Sequence, residues 1–125
     1  MRLVICLIFL SLLCSCAYNN IENIEIASQP NLPVANQKYI VTATGMIFTP
    51  SSLTINQGDT VEWDNVSGFH NVNGTQTTYP SNPVSFGNSP AAAPWTYTFV
   101  FNTIGNYSYL CDVHGISMSG TITVQ

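Results

Sequence analysis

The sequence predicts an all-β domain, an antiparallel sandwich or barrel. Short runs rich in β-branched and aromatic residues recur from residue 38 onward, each bounded by Gly, Asn, Pro or Ser. No segment carries a helical period of useful length. Several short strands at this spacing, without helices between them, build a sandwich or barrel rather than an α/β fold.

The N-terminus lies outside that domain. Met1 and Arg2 precede an apolar run from Leu3 to Leu13, interrupted only by Ser11. The run is too short to span a bilayer, which takes about twenty residues, and it fits the hydrophobic region of an export signal instead. Leu13-Cys14-Ser15-Cys16 resembles a bacterial lipobox, with cleavage before a diacylated Cys16; an ordinary cleaved signal is the plainer alternative. Residues 1–15 are thus expected to be a lipoprotein signal peptide. Residues 16–37, Asn-rich with Pro30 and Pro33, read as a lipid-anchored flexible linker.

Residues 38–125 form the expected domain. Its strand candidates, in order, are Tyr39-Ile40-Val41-Thr42-Ala43, Leu53-Thr54-Ile55, Thr60-Val61-Glu62-Trp63, Tyr97-Thr98-Phe99-Val100-Phe101, Tyr107-Ser108-Tyr109-Leu110-Cys111 and Thr121-Ile122-Thr123-Val124. Trp63, Phe99, Phe101, Tyr107 and Tyr109 are the expected core aromatics. Residues 73–94 are different, with Pro80, Pro83, Pro90 and Pro94. Proline donates no ladder hydrogen bond, so this stretch is no central strand; a loop so long is usually functional or mobile.

Charge excludes one class of partner. The 125 residues are 46% hydrophobic and only 6% charged, with a net charge of −4 and no basic cluster. Nucleic-acid binding through phosphates is therefore not expected. Once the signal is removed nothing basic holds the chain on an anionic surface, so membrane attachment would rest on the lipid.

The cysteines are more informative. Of Cys6, Cys14, Cys16 and Cys111, two leave with the signal and one is acylated, so Cys111 is the single thiol expected in the domain. Exported domains usually pair their cysteines or have none. A free Cys is often a small buried hydrophobe, but the neighbours of this one point elsewhere. His114 and Met118 follow it on one short connection between strand candidates, and His70, the other histidine, ends the run after Trp63.

Two imidazoles and a thiolate with a weak axial thioether are the ligand set of a mononuclear blue copper site. Soft sulfur favours Cu(I) and imidazole suits Cu(II), so both oxidation states are accessible. Taken singly, each residue has a plainer reading as a core or surface side chain, and zinc competes for the same Cys and His donors. Zinc sites, however, favour further Cys, His or carboxylate ligands over Met.

Cys111-x-x-His114-x-x-x-Met118-x-Gly120 resembles the ligand loop of the cupredoxins, the plastocyanin and azurin group of small blue copper proteins. The resemblance extends to Phe48-x-Pro50-x-x-Leu53-x-Ile55-x-x-Gly58-Asp59-Thr60-Val61-x-Trp63-x-Asn65, to His70-Asn71-Val72 and to Gly105-x-Tyr107-x-Tyr109-x-Cys111. It implies a Greek-key β-sandwich or barrel of about seven to eight strands. It further implies one type 1 copper, with His70, Cys111 and His114 equatorial and Met118 axial. Asn71 matches the position whose backbone amide hydrogen-bonds the ligand sulfur and whose side chain braces the ligand loop. Three residues separate His114 from Met118, as in azurin, yet Cys111 and His114 are spaced as in plastocyanin; the loop is a hybrid.

The function so implied is that of a monomeric, lipid-anchored carrier on the periplasmic side, shuttling single electrons between redox proteins such as cytochromes or a copper-containing reductase or oxidase. Partners would dock near His114, where Gly115 and Ile116 supply an apolar patch. A copper carrier or buffer and a metal-free binding module are the alternatives. A multicopper enzyme needs a second copper site built from several more histidines, and this sequence has two.

Overall fold

The computed structural model describes residues 35–125. The expected signal peptide at residues 1–15, Cys16 and most of the expected linker fall outside the described residues. Among the described residues nine strands follow in order: β1 (Lys38–Thr44), β2 (Ile47–Thr49), β3 (Ser52–Ile55), β4 (Thr60–Asn65), β5 (Phe69–His70), β6 (Ala91–Ala92), β7 (Trp95–Val100), β8 (Gly105–Cys111) and β9 (Gly115–Val124). Each run expected from the sequence falls in a strand, except that Phe101 lies just past the end of β7. The added ones, β2, β5 and β6, are two or three residues long, below the length at which alternation can be read.

One sheet has the order β2-β1-β4-β7, a second β3-β9-β8, and β5 pairs with β6. Alternation along each strand turns one face inward. Val41 and Ala43 of β1, Val61 and Trp63 of β4, Tyr107 and Tyr109 of β8, and Ile122 and Val124 of β9 are all buried. The sandwich differs from the expected antiparallel one in two pairings. β1 runs parallel to β4, from Lys38 opposite Thr60 to Ala43 opposite Asn65, and β3 runs parallel to β9. Alternation reports which side of a strand is buried and is blind to strand direction. A chain that crosses to the second sheet for β3 before returning for β4 has room to pair in parallel.

The core is aromatic. Trp63 is fully buried, with ring centroids 5.4 Å from Tyr109, 5.6 Å from Phe86 and 5.6 Å from Tyr97. Phe99 is only partly buried and packs against this cluster. Phe86 comes from the proline-rich segment, which is not a free surface loop. Asn82, also buried, accepts a hydrogen bond from Ser108 N (2.8 Å) and donates to the carbonyls of Ser108 (2.8 Å) and Gly74 (2.9 Å). A buried amide with both ends satisfied extends the hydrogen bonding of β8 into a segment that cannot itself form a regular strand.

The turn before β4 is held by Asp59. Its buried carboxylate accepts the amides of Gln37 (2.7 Å) and Asn56 (2.8 Å), tying the start of β1 to the end of β3.

Candidate metal centre

His70 ends β5, Cys111 ends β8, and His114 lies in the tight turn between β8 and β9. Their donor atoms converge. His70 Nδ1 is 3.2 Å from His114 Nδ1, and Cys111 Sγ is 3.8 Å from the first and 3.5 Å from the second. A point equidistant from all three atoms lies about 2.0 Å from each, the length of a bond from a metal to imidazole nitrogen and somewhat short for thiolate. The chemistry and spacing of this donor set therefore fit a single ion. A trigonal arrangement of two imidazoles and one thiolate is what copper takes in electron-transfer sites.

The surroundings keep the donors fixed. Cys111 and His70 are buried, whereas His114 is partly exposed. His114 N donates to Cys111 O (3.1 Å), closing the turn, and the hydroxyls of Ser117 and Ser119 donate to the carbonyls of His114 (2.6 Å) and Ile116 (3.0 Å). Gly68, with φ of +92°, approaches His70 so closely that a Cβ there would sit 2.6 Å from Nε2. Only glycine accepts both that backbone angle and that contact. Burial, reinforced by neighbouring His114 and opposed by the Ser67 backbone, lowers the pKa of His70 below 6.5. The ring is thus held neutral, the form in which imidazole binds metal.

Met118 sits on β9, where Gly115 pairs with Cys111 and Ser119 with Leu110. The three residues between those partners are absorbed by an irregularity opposite the Leu110/Cys111 step. That irregularity leaves Met118 fully buried next to the strand that carries Cys111. Asn71 braces the ligand loop through its side chain: Oδ1 accepts Asp112 N (2.8 Å), and Nδ2 donates to Asp112 Oδ2 (2.7 Å) and Asn88 O (3.1 Å). Three residues that the sequence did not single out, Asn73, Asn88 and Asp112, complete this bracing. They lie in loops, where no periodicity marks a side chain as inward.

Residues 35–125 match the family of copper binding proteins described as plastocyanin/azurin. The chain belongs to the plastocyanin/azurin family. Among its relatives is the plastocyanin of Scenedesmus fuscus, 41% identical over 86 residues, a match covering 64% of this chain and 88% of that protein. The plastocyanin of Nostoc punctiforme is 36% identical over 91 residues, covering 64% of this chain and 66% of the relative. Among solved structures, a reduced Cu(I) form of an amicyanin variant at pH 4 superposes with a TM-score of 0.59 and 25% identity, covering 74% of this chain and 87% of that one. A reduced amicyanin variant at 24% identity has a TM-score of 0.60, covering 70% of this chain and 82% of that one, and bears on the fold alone. The Greek-key sandwich expected from the sequence is the fold this plastocyanin/azurin-family chain adopts, and the His-Cys-His cluster lies within the span that the family covers.

Proposed function

We propose that this protein is a one-electron carrier using a single type 1 copper held by His70, Cys111 and His114, with Met118 as the weak axial ligand. The observation that carries the reading is the convergence of two imidazole nitrogens and a thiolate, within 4.8 Å of one another, in a chain of a copper-binding family. Bound there, copper supplies a Cu(II)/Cu(I) couple. The protein's part is to hold its donors in one arrangement for both oxidation states, which keeps reorganisation small. Strand ends, the 114-to-111 turn bond and the Asn71 brace all serve that end. No substrate bond is made or broken; the protein is a carrier and not an enzyme.

His114 is the exposed member of the three donors, so electrons enter and leave through its ring. Val113 and Ile116 beside it are exposed, Ile116 at 77%. Weak redox encounters bury little area, and this small apolar surface suits one. The partners are redox proteins; the sequence reading of cytochromes or a copper reductase or oxidase remains the proposal for them. Export of the domain, with Cys16 as the lipidated anchor and residues 16–37 as tether, completes the reading.

The test is an optical and EPR titration of the purified protein with Cu(II), then ascorbate. An intense thiolate charge-transfer band saturating at one copper per chain, bleached on reduction and restored by oxidant, is expected. A colourless protein would remove Cys111 from the ligand set and favour a copper carrier or a metal-free module.

A further inference from the structure

Cys111 is gripped from both sides by the segment that follows His70. On one side, Leu110 exchanges backbone hydrogen bonds with Asn73: Asn73 N to Leu110 O at 2.8 Å and Leu110 N to Asn73 O at 3.1 Å. On the other, Asp112 N donates to Asn71 Oδ1 at 2.8 Å. The Asp112 carboxylate then divides between two amides, Oδ2 accepting from Asn71 Nδ2 and Oδ1 from Asn73 Nδ2, each at 2.7 Å. These are short, charge-assisted bonds, roughly twice as strong as neutral ones.

The amides are themselves fixed. Asn73 Oδ1 accepts from Thr75 N (3.0 Å) and Thr75 Oγ1 (2.8 Å), and its Nδ2 also reaches Thr78 Oγ1 (3.0 Å). Asn71 Nδ2 also reaches Asn88 O, while Val72 N donates to Asn88 Oδ1 (2.8 Å). Asn73, which opens the proline-rich segment, thus bonds the Asp112 carboxylate directly, and Asn88 from later in that segment holds the Asn71 amide that bonds it too.

We infer that Asp112 is a positioning residue of the copper site: its carboxylate, clamped by Asn71 and Asn73, sets Cys111 relative to His70 and biases the couple toward Cu(II). This rests on the copper reading above. Cu(II) carries one more positive charge than Cu(I), so a fixed negative charge on the residue next to Cys111 stabilises the oxidised state more. Asp112 is solvent-exposed, so screening keeps that bias moderate. The positioning role does not depend on the metal and exists in the metal-free chain. It explains why an extended proline-rich segment is packed against the ligand loop.

Two variants test it on the full protein. Asp112→Asn removes the charge and turns an acceptor into a donor facing an amide N–H. Asn73→Ala keeps the charge and removes one arm of the clamp. The expected results are a shift of the redox equilibrium of blue Asp112→Asn toward Cu(I) by at least about twofold, where tenfold corresponds to 59 mV for a one-electron couple, and faster amide hydrogen exchange at Asp112 in metal-free Asn73→Ala. A blue Asp112→Asn with the wild-type potential, or unchanged exchange in Asn73→Ala, would overturn the inference. Should Asp112→Asn not fold, Asn73→Ala still decides the clamp. Absence of a blue band in the wild-type protein is the separate result that removes the copper reading.

Discussion

His70 and His114 face each other with 3.2 Å between their Nδ1 atoms and ring centroids 4.8 Å apart. Both rings cannot be protonated at that separation without strong repulsion, and burial already disfavours a charge on His70. The folded, metal-free protein therefore binds a proton at His70 less readily than the unfolded chain. Stability rises with pH wherever the unfolded state holds more protons. The metal-free protein should accordingly lose stability as pH falls from about 6.5, the unfolded value, toward the depressed folded value, and level off below it. Thermal melts from pH 7.5 to 4.5 check this. His70→Gln should flatten this component, and an unflattened profile would place the titration elsewhere.

That pairing was legible in the sequence as two histidines and a cysteine, because ligand chemistry is written in residue type. The strands were legible because alternation marks buried faces: Val61 and Trp63, or Tyr107 and Tyr109, announce themselves. Direction is not encoded that way, so the parallel β1/β4 and β3/β9 pairings were not foreseen. Phe86, Asn82 and Asp112 were missed for a related reason. They sit in aperiodic segments where a phenylalanine or an amide looks the same whether it points into the core or into solvent.

Gly68 is predicted to be more restrictive than Gly115, although both have positive φ. A Cβ at Gly68 meets His70 Nε2 at 2.6 Å, whereas one at Gly115 meets nothing within 4 Å. Gly115→Ala should cost only backbone strain, about 1 kcal/mol. Gly68→Ala adds displacement of a proposed ligand and should weaken copper binding about tenfold or more, the range seen when groups supporting a metal ligand are lost. Competitive copper titrations of both variants give the comparison; equal affinities would mean that the His70 ring relaxes freely.

The docking face should respond to apolar change and little to salt. Among the described residues the charges are few: Lys38 pairs with Glu62 at 2.6 Å and Asp59 is buried, leaving Asp64 and Asp112. With so little charge to steer an encounter, electron-transfer rates should change less than about threefold between 20 and 200 mM salt, unlike strongly steered pairs. Ile116→Glu should slow transfer while leaving the optical spectrum and copper content intact. Stopped-flow kinetics with a small inorganic oxidant and with a redox protein separate the two: the variant should be impaired only with the protein. Unaltered kinetics there would remove this face from the docking surface.

Asp59 carries a purely structural prediction. Its carboxylate joins Gln37 N and Asn56 N, so Asp59→Ala strands one amide in the β3–β4 turn and one just before β1, and releases the start of β1. Hydrogen bonds to a charged group are worth about 1.5–3 kcal/mol each, partly recovered by water, and a loss of about 2–4 kcal/mol is expected. The turn is remote in sequence from every proposed ligand. The copper spectrum of the folded fraction should therefore be unchanged.

Phe86 puts the status of the proline-rich segment to the same kind of test. A segment that merely decorated the surface would tolerate loss of any one side chain within about 0.5 kcal/mol. Phe86, however, is 4% exposed and lies 5.6 Å from Trp63, 5.3 Å from Phe99 and 5.4 Å from Phe101 between ring centroids. Removing it leaves a cavity lined by rings whose own positions are fixed by β4, β7 and the loop after it, so collapse around the gap is limited. Phe86→Ala should therefore cost about 3–5 kcal/mol, as in other buried aromatic truncations. Urea unfolding should show a lower midpoint with an unchanged slope. Phe86→Leu, which refills most of the volume, should recover more than half of the loss. A destabilisation below about 1 kcal/mol for Phe86→Ala would mean that the segment leaves the core without consequence, and that its hydrogen bonds, such as those of Asn82 with Ser108, hold it in place.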